Sequence, residues 1–299
     1  MPIPLAMPDP RESEPEPVPL HEAYRACEEI ARAHYENFPV ASRFLSADRR
    51  IALAAIYAFA RRADDIADAA APSGERLRAL DTVEQALHRA LGGEPRGAVF
   101  TALADAIERN RLPVEPFLDL LEAFRMDARD ATFPTWDELL AYCRGSANTI
   151  GRLVLALYAI DDPEALRGSD DVCTALQLTN FWQDLGADLA RGRLFIPLED
   201  LARFDLKQDA LSRASSRHGL GRLLSHECRA TRELYRRGSV VTRHAPFLLS
   251  LHLRASIAGG LAILGAVDRL GWRVLEHRPV LSGPARVAVL LRSVLGIHA

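Results

Sequence analysis

Cysteine is scarce in this chain: Cys27, Cys143, Cys173 and Cys228 stand far apart, and none forms a Cys-x-x-Cys pair. That rules out a disulfide scaffold and predicts reduced, mostly buried thiols in a cytoplasmic protein. The nine histidines show neither His-x-x-x-His nor His-Glu-x-x-His spacing, so a zinc site is not expected. Aromatic residues make up only 7% of the chain, and no segment alternates apolar and polar residues for long, which argues against sheet. No Gly-rich phosphate loop follows a strand. Neither sign of charge dominates: the net charge is -3, so no global field points to nucleic acid. The start, MPIPLAMPDPRESEPEPVPL, lacks the basic and apolar stretches of a signal peptide. No apolar run approaches the ~20 residues of a membrane helix. The longest, Ala255–Val267, holds two adjacent glycines and reads as a buried core helix.

What is abundant is Ala, Leu and Arg, residues that lose little freedom in a helix. Apolar residues recur at three- and four-residue spacing from Leu20 onward. They predict helices near 20–35, 47–70, 74–92, 97–110, 113–127, 135–159, 163–187, 219–243, 246–276 and 282–295. Ser46 or Asp48 suits a cap, Pro113 a first turn, and Thr135 with Glu138 a capping box. Residues 1–19, rich in Pro and Glu, read as a disordered tail. The rest is enough for one large all-α domain or two small ones. The stretch Ala190–Phe204, broken by Pro197, reads as a loop.

Two segments carry chemistry: YAFARRADDIAD at Tyr57–Asp68, and QLTNFWQDLGADLARGR at Gln177–Arg193. Each holds two aspartates four apart, Asp64 with Asp68 and Asp184 with Asp188, so each helix presents two carboxylates on one face. Like charges at that spacing oppose the helix, and a hard divalent cation offsets them. Magnesium prefers carboxylate oxygen and keeps positions open for phosphate oxygen. Two such faces across a helical bundle would form a multi-metal clamp on a diphosphate leaving group.

A single acidic pair is usually a solvated helix face. Here both pairs follow apolar stretches (IALAAIYAFA and Leu178, Phe181, Trp182) and both have arginines nearby, which favours function. Arg61, one turn before Asp64, is read as a diphosphate ligand in preference to a salt bridge with Asp64 or Asp65, and Arg62 as surface. Arg191 and Arg193 suit phosphate oxygens, though one of the two is open to a solvent role. Gln177 and Asn180 either bind phosphate or a metal-bound water, or cross-link helices. Tyr57 and Phe59 read as core.

These motifs resemble the squalene/phytoene synthase family. YxFxRxxDDxxD is matched fully at Tyr57–Asp68, and the second motif nearly so at Gln177–Asp188, followed by ARGRLFIP. ENFPVAS at Glu36–Ser42 and YCRGSANTIG at Tyr142–Gly151 extend the likeness over about residues 20–295. The resemblance implies a single-domain isoprenoid synthase (prenyltransferase) bundle around a central apolar cavity. It implies magnesium on Asp64, Asp68, Asp184 and Asp188, with Arg61, Gln177 and Asn180 at the diphosphate or the metal. Asn37 and Phe38 fall where relatives carry a Ser-Phe pair near the substrate.

Three departures narrow the branch. Gln183 stands where relatives commonly have Arg. Asn148 interrupts a normally small, apolar stretch. Gly259 and Gly260 replace an expected tyrosine. ENFPVAS, WQDLGADLARGR and the helix with the two glycines together look like the bacterial hydroxysqualene synthase branch of hopanoid biosynthesis. Members of that branch ionise presqualene diphosphate, rearrange the cyclopropylcarbinyl cation and quench it with water, without NADPH. Water capture needs a polar group beside the cation: Asn148 is the first candidate and Tyr142 the second. Within the family the rival is a synthase that condenses two prenyl diphosphates. Outside catalysis it is an assembly factor, which would tend to lose the acidic pairs. The lipophilic product implies transient contact with the membrane surface, at its inner face, and with other squalene-forming enzymes.

Overall fold

The computed structural model describes residues 18–33, 46–281 and 283. Most of the expected tail, Asn37 and Phe38 in their ENFPVAS segment, and nearly all of the expected helix 282–295 lie outside the described residues. Every regular element among the described residues is helical. The chain falls into two compact units, Met1–Ala131 with Leu153–Ala159, and Thr132–Arg152 with Ile160–Ala299.

The first unit is built from α1 (Leu20–Ala33), α2 (Ala47–Ala67), α3 (Ser73–Leu91), α4 (Gly97–Asn110) and α5 (Glu115–Ala128). Its centre is Phe59, fully buried on α2, which meets Phe117 edge-on at 5.5 Å between ring centroids and Phe100 at 6.4 Å. Such T-shaped contacts put positive ring edges on negative faces. Ser46 sits at the cap of α2, but its side chain makes no cap hydrogen bond. α5 begins two residues later than Pro113 suggests. Pro116 takes the first-turn position, where a missing amide hydrogen costs nothing.

The second unit opens with α6 (Trp136–Cys143), started by the expected capping box: Glu138 N–H donates to Thr135 Oγ1, and Thr135 N–H donates to Glu138. A π-helical turn, Arg144–Asn148, leads into α7 (Thr149–Leu157), whose residues from Leu153 onward belong to the first unit. The 28-residue α8 (Pro163–Ala190) is capped by Asp162, which accepts from the amides of Glu164 and Ala165. The expected loop that follows contains a short helix, α9 (Leu198–Arg203). The pattern over 219–243 resolves into α10 (Arg217–Gly238) and α11 (Val241–His244), and α12 (Phe247–Leu270) ends in a 3-10 turn at Gly271–Leu275. α8 and α10 cross closely at two glycines: a Cβ on Gly238 would lie 2.7 Å from the Gly168 carbonyl oxygen.

α12 corrects two expectations. The stretch Phe247–Leu275 is long and apolar enough to cross a membrane, yet only 22% of its most apolar window is buried. It is therefore not a buried core helix. Its apolar side chains run around the whole circumference instead of along one stripe, and Phe247 and Leu248 at its start are exposed.

Three of the four cysteines are buried and all are free thiols. Burial pushes Cys27, Cys143 and Cys228 up to about 12, which keeps them protonated and unreactive.

A buried acidic contact joins α9 to α10. Burial first, then the Asp200 carboxylate beside it, push the Glu227 carboxyl up to about 9. Its Oε1 is buried without a hydrogen-bond partner. An unfolded Glu loses its proton near pH 4.3. Between about pH 4 and 9 the folded chain therefore holds a proton that the unfolded chain has shed, and stability falls as pH rises. The thermal midpoint should drop from about pH 5 to pH 9, and Glu227→Gln should flatten that slope. An equal slope in the variant would exclude Glu227 as its source.

Candidate functional site

In the first unit, Tyr57, Arg61, Asp64 and Asp68 fall on one face at the C-terminal end of α2, at helical steps of four, three and four. Asp68 is the C-cap residue, exposed, with its amide donating to the Asp64 carbonyl. Asp64 is half-exposed. Arg61 lies between acids: Nη1 is 3.0 Å from Asp64 Oδ2 and Nη2 is 2.5 Å from Asp65 Oδ1. The salt bridge weighed against the ligand role is thus formed, and to both carboxylates at once. The Arg61 Nε is buried without a hydrogen-bond partner. Tyr57 differs from its expected core place. It is half-buried, and burial raises its phenol above the ordinary range, with Arg61 opposing and Asp64 and Asp65 adding to the rise. Phe59 is core, as expected, and Arg62 is exposed with its guanidinium 5.7 Å from the Phe100 ring centre.

In the second unit, Gln177, Asn180, Asp184 and Asp188 share one face of α8 at steps of three, four and four. Asn180 is exposed, Gln177 half-buried and Asp188 buried. Arg193 Nη2 stands 3.7 Å from Asp188 Oδ1, and the Arg193 amide donates to the Asp188 carbonyl at 2.9 Å, so the turn after α8 folds back on the motif. Arg191, the C-cap, is exposed. The opposite face of α8 is fixed by two buried bonds: Trp182 Nε1 donates to Thr231 Oγ1, and Thr179 Oγ1 pairs with Tyr235 Oη, both at 3.0 Å.

Asp184 has a partner that the motifs do not reveal. Arg278, 94 positions on, sends Nε and Nη2 to its two oxygens, the latter at 3.1 Å. Beside it Gln183 Nε2 donates to the Pro279 carbonyl at 2.6 Å. Nothing local in the sequence announces a contact across that separation.

Asn148 closes the π-turn and is buried. Its Oδ1 accepts from Thr174 Oγ1 at 2.9 Å, a partner that sequence reasoning also missed. π-turns cost regular hydrogen bonds and concentrate at functional sites. Tyr142 is buried in an aromatic cluster, 5.2 Å from Phe133, 5.9 Å from Phe195 and 6.1 Å from Phe181 between ring centroids.

Among the described residues no three His, Cys, Asp or Glu side chains converge on one ion position. Each motif instead offers two carboxylates one turn apart. That fits magnesium, which takes one or two protein carboxylates and completes its octahedron with water and phosphate oxygen.

A family model for squalene/phytoene synthases matches residues 31–285. The chain belongs to the squalene/phytoene synthase family. The squalene synthase HpnC from Alicyclobacillus acidocaldarius is 40% identical, with a TM-score of 0.80 over 85% of this chain and 97% of that one. This likeness supports the branch expected from the sequence. A dehydrosqualene synthase solved with a ligand, 23% identical, shares the fold at a TM-score of 0.79 over 93% of this chain and 97% of that one. Phytoene synthase 3 of Zea mays is 32% identical over 66% of this chain, and phytoene synthase of Mycobacterium tuberculosis is 33% identical over 63%. The chain spans 49% and 62% of those two proteins' lengths. Its fold is the all-α fold of squalene/phytoene synthases, enzymes that process prenyl diphosphates.

The two glycines that stand in place of the expected tyrosine have separate explanations. Gly260 packs on Tyr235, whose Oη sits where a Cβ would go, whereas Gly259 has nothing within 4 Å of that position. Gly260→Ala should therefore lower unfolding free energy by about 1–3 kcal/mol through overpacking. Gly259→Ala should raise it by about 0.5–1 kcal/mol, because alanine loses less entropy in a helix. Denaturant unfolding of both variants checks this, and equal effects would contradict the Tyr235 contact.

Proposed function

We propose that this chain is a hydroxysqualene synthase, converting presqualene diphosphate and water to hydroxysqualene and diphosphate in squalene and hopanoid biosynthesis. The observation that carries the reading is the pair of one-turn carboxylate sets, Asp64 with Asp68 and Asp184 with Asp188, each with an arginine in contact. Magnesium held by these carboxylates would draw negative charge from the diphosphate as its C–O bond breaks.

The chain's own groups have distinct tasks. Asp64, Asp68, Asp184 and Asp188 bind the ions. Arg61 and Arg193 carry guanidinium groups that match phosphate oxygens. Gln177, Asn180 and Arg191 lie on or beside the same face of α8 and add neutral donors and one exposed charge. Asn37 and Phe38 hold the substrate near its head group.

After ionisation the cation rearranges, water adds its oxygen, and one proton leaves to solvent. Asn148 positions that water. Its carbonyl oxygen is taken by Thr174, which leaves its amide hydrogens as donors to a water lone pair. Tyr142 is the second such group, within its aromatic cluster. The exposed apolar start of α12 suits contact with the inner membrane surface, where a lipophilic product partitions.

The likeness to phytoene synthases favours one alternative, condensation of two prenyl diphosphates. The two readings separate when the purified protein receives magnesium with either farnesyl diphosphate or presqualene diphosphate. The proposed function predicts consumption of the second and formation of a C30 alcohol, with Asn148→Val shifting product away from the alcohol. Consumption of farnesyl diphosphate alone would replace it with the condensing reading.

A further inference from the structure

The segment after α12 lies along the flank of the second acidic motif. Three contacts place it there, in antiparallel order. Gly186 meets Leu275, whose carbonyl oxygen would be 2.5 Å from a Cβ at that glycine. Asp184 meets Arg278. Gln183 meets Pro279. Gly186 thus admits the backbone of the segment, and Gln183, itself buried, ties down its far end. Between these anchors Arg278 takes both oxygens of Asp184 in a forked pair. Further back, Arg217 stacks on Trp272 at 4.0 Å and reaches Glu276 at 3.5 Å, so the segment is held at its start as well.

The guanidinium fork occupies one lone pair on each oxygen of the carboxylate and offsets its charge, so it competes with a metal for the same group. An ion arriving at Asp184 competes with Arg278 for its charge and its two oxygens. How well it competes depends on how firmly the segment is held.

We propose that Gln183 is a positioning residue: by bonding the Pro279 carbonyl it keeps Leu275–Pro279 against α8 and Arg278 on Asp184, so that divalent metal enters the second acidic pair only as this strap yields. The inference rests on the metal-binding reading of Asp184. It gives a role to Gln183: a neutral donor ties the strap without competing for Asp184, and the cation is supplied from position 278.

The test uses the full-length protein and Mn2+ alone, without diphosphate, with bound metal read from the loss of the free-ion EPR signal. Amide hydrogen exchange over residues 275–281 is measured in parallel. Arg278→Gln alters a side chain that is 55% exposed and leaves the fold intact. It should tighten Mn2+ binding roughly two- to fivefold, the range expected for release of an exposed ion pair. Gln183→Met removes the donor at nearly constant volume. It should speed exchange over 275–281 and tighten Mn2+ binding in the same direction, a shift that lost packing alone would not produce. Unchanged or weaker Mn2+ binding in Arg278→Gln would overturn the proposal, as would unchanged exchange in Gln183→Met. If the affinities shift as expected while magnesium supports no diphosphate release, the strap stands and the enzymatic reading falls. Normal release with unshifted affinities has the opposite meaning.

Discussion

Two carboxylates one turn apart on a helix repel each other, and this chain builds that arrangement twice. The repulsion is met by arginines. Arg61 bridges Asp64 and Asp65, Arg193 approaches Asp188, and Arg278 caps Asp184. Each guanidinium is delocalised and permanently charged, so it offsets a carboxylate's charge without giving it a proton. The same geometry suits exchange. A compact divalent ion concentrates more charge on the carboxylates, and an arginine it displaces is left within reach of any phosphate that arrives with the metal. Under the proposed function, cation balance at these aspartates is the condition on which binding and ionisation both rest.

Within each unit the helix that carries an acidic pair is held against sliding by its packing. Around α8, buried hydrogen bonds from Trp182 and Thr179 lock its rear face to α10. The glycine crossing at Gly168 and Gly238 brings the two backbones together, and Gly260 makes room for Tyr235. On α2, Phe59 and its aromatic partners fix the rotation that puts Arg61, Asp64 and Asp68 on one face. The rigid parts are thus helix interiors.

Helical periodicity made most element positions readable, to the residue for 97–110, because apolar spacing and capping are local. The acidic pairs were readable for the same reason. Features set by distant partners were not. Arg278 on Asp184 spans 94 positions, and Thr174 on Asn148 spans 26. The exposure of α12 is not legible in sequence, because an apolar segment looks the same whether its neighbours cover it or not. The spacing of Tyr57 matches both the buried stripe and the acidic face, and only the rotation of α2 separates them.

The central claim is that both carboxylate pairs hold the ions that carry the diphosphate. Its most direct test is a magnesium titration of diphosphate release from presqualene diphosphate, comparing the unaltered protein with Asp68→Asn and Asp188→Asn. Each substitution removes one charge of a pair and leaves the helix face otherwise alone. The account predicts a loss of at least about a hundredfold for either variant, in line with removal of a group that stabilises developing charge, only partly recovered at high magnesium. Release at the unaltered rate and magnesium midpoint in either variant would contradict it.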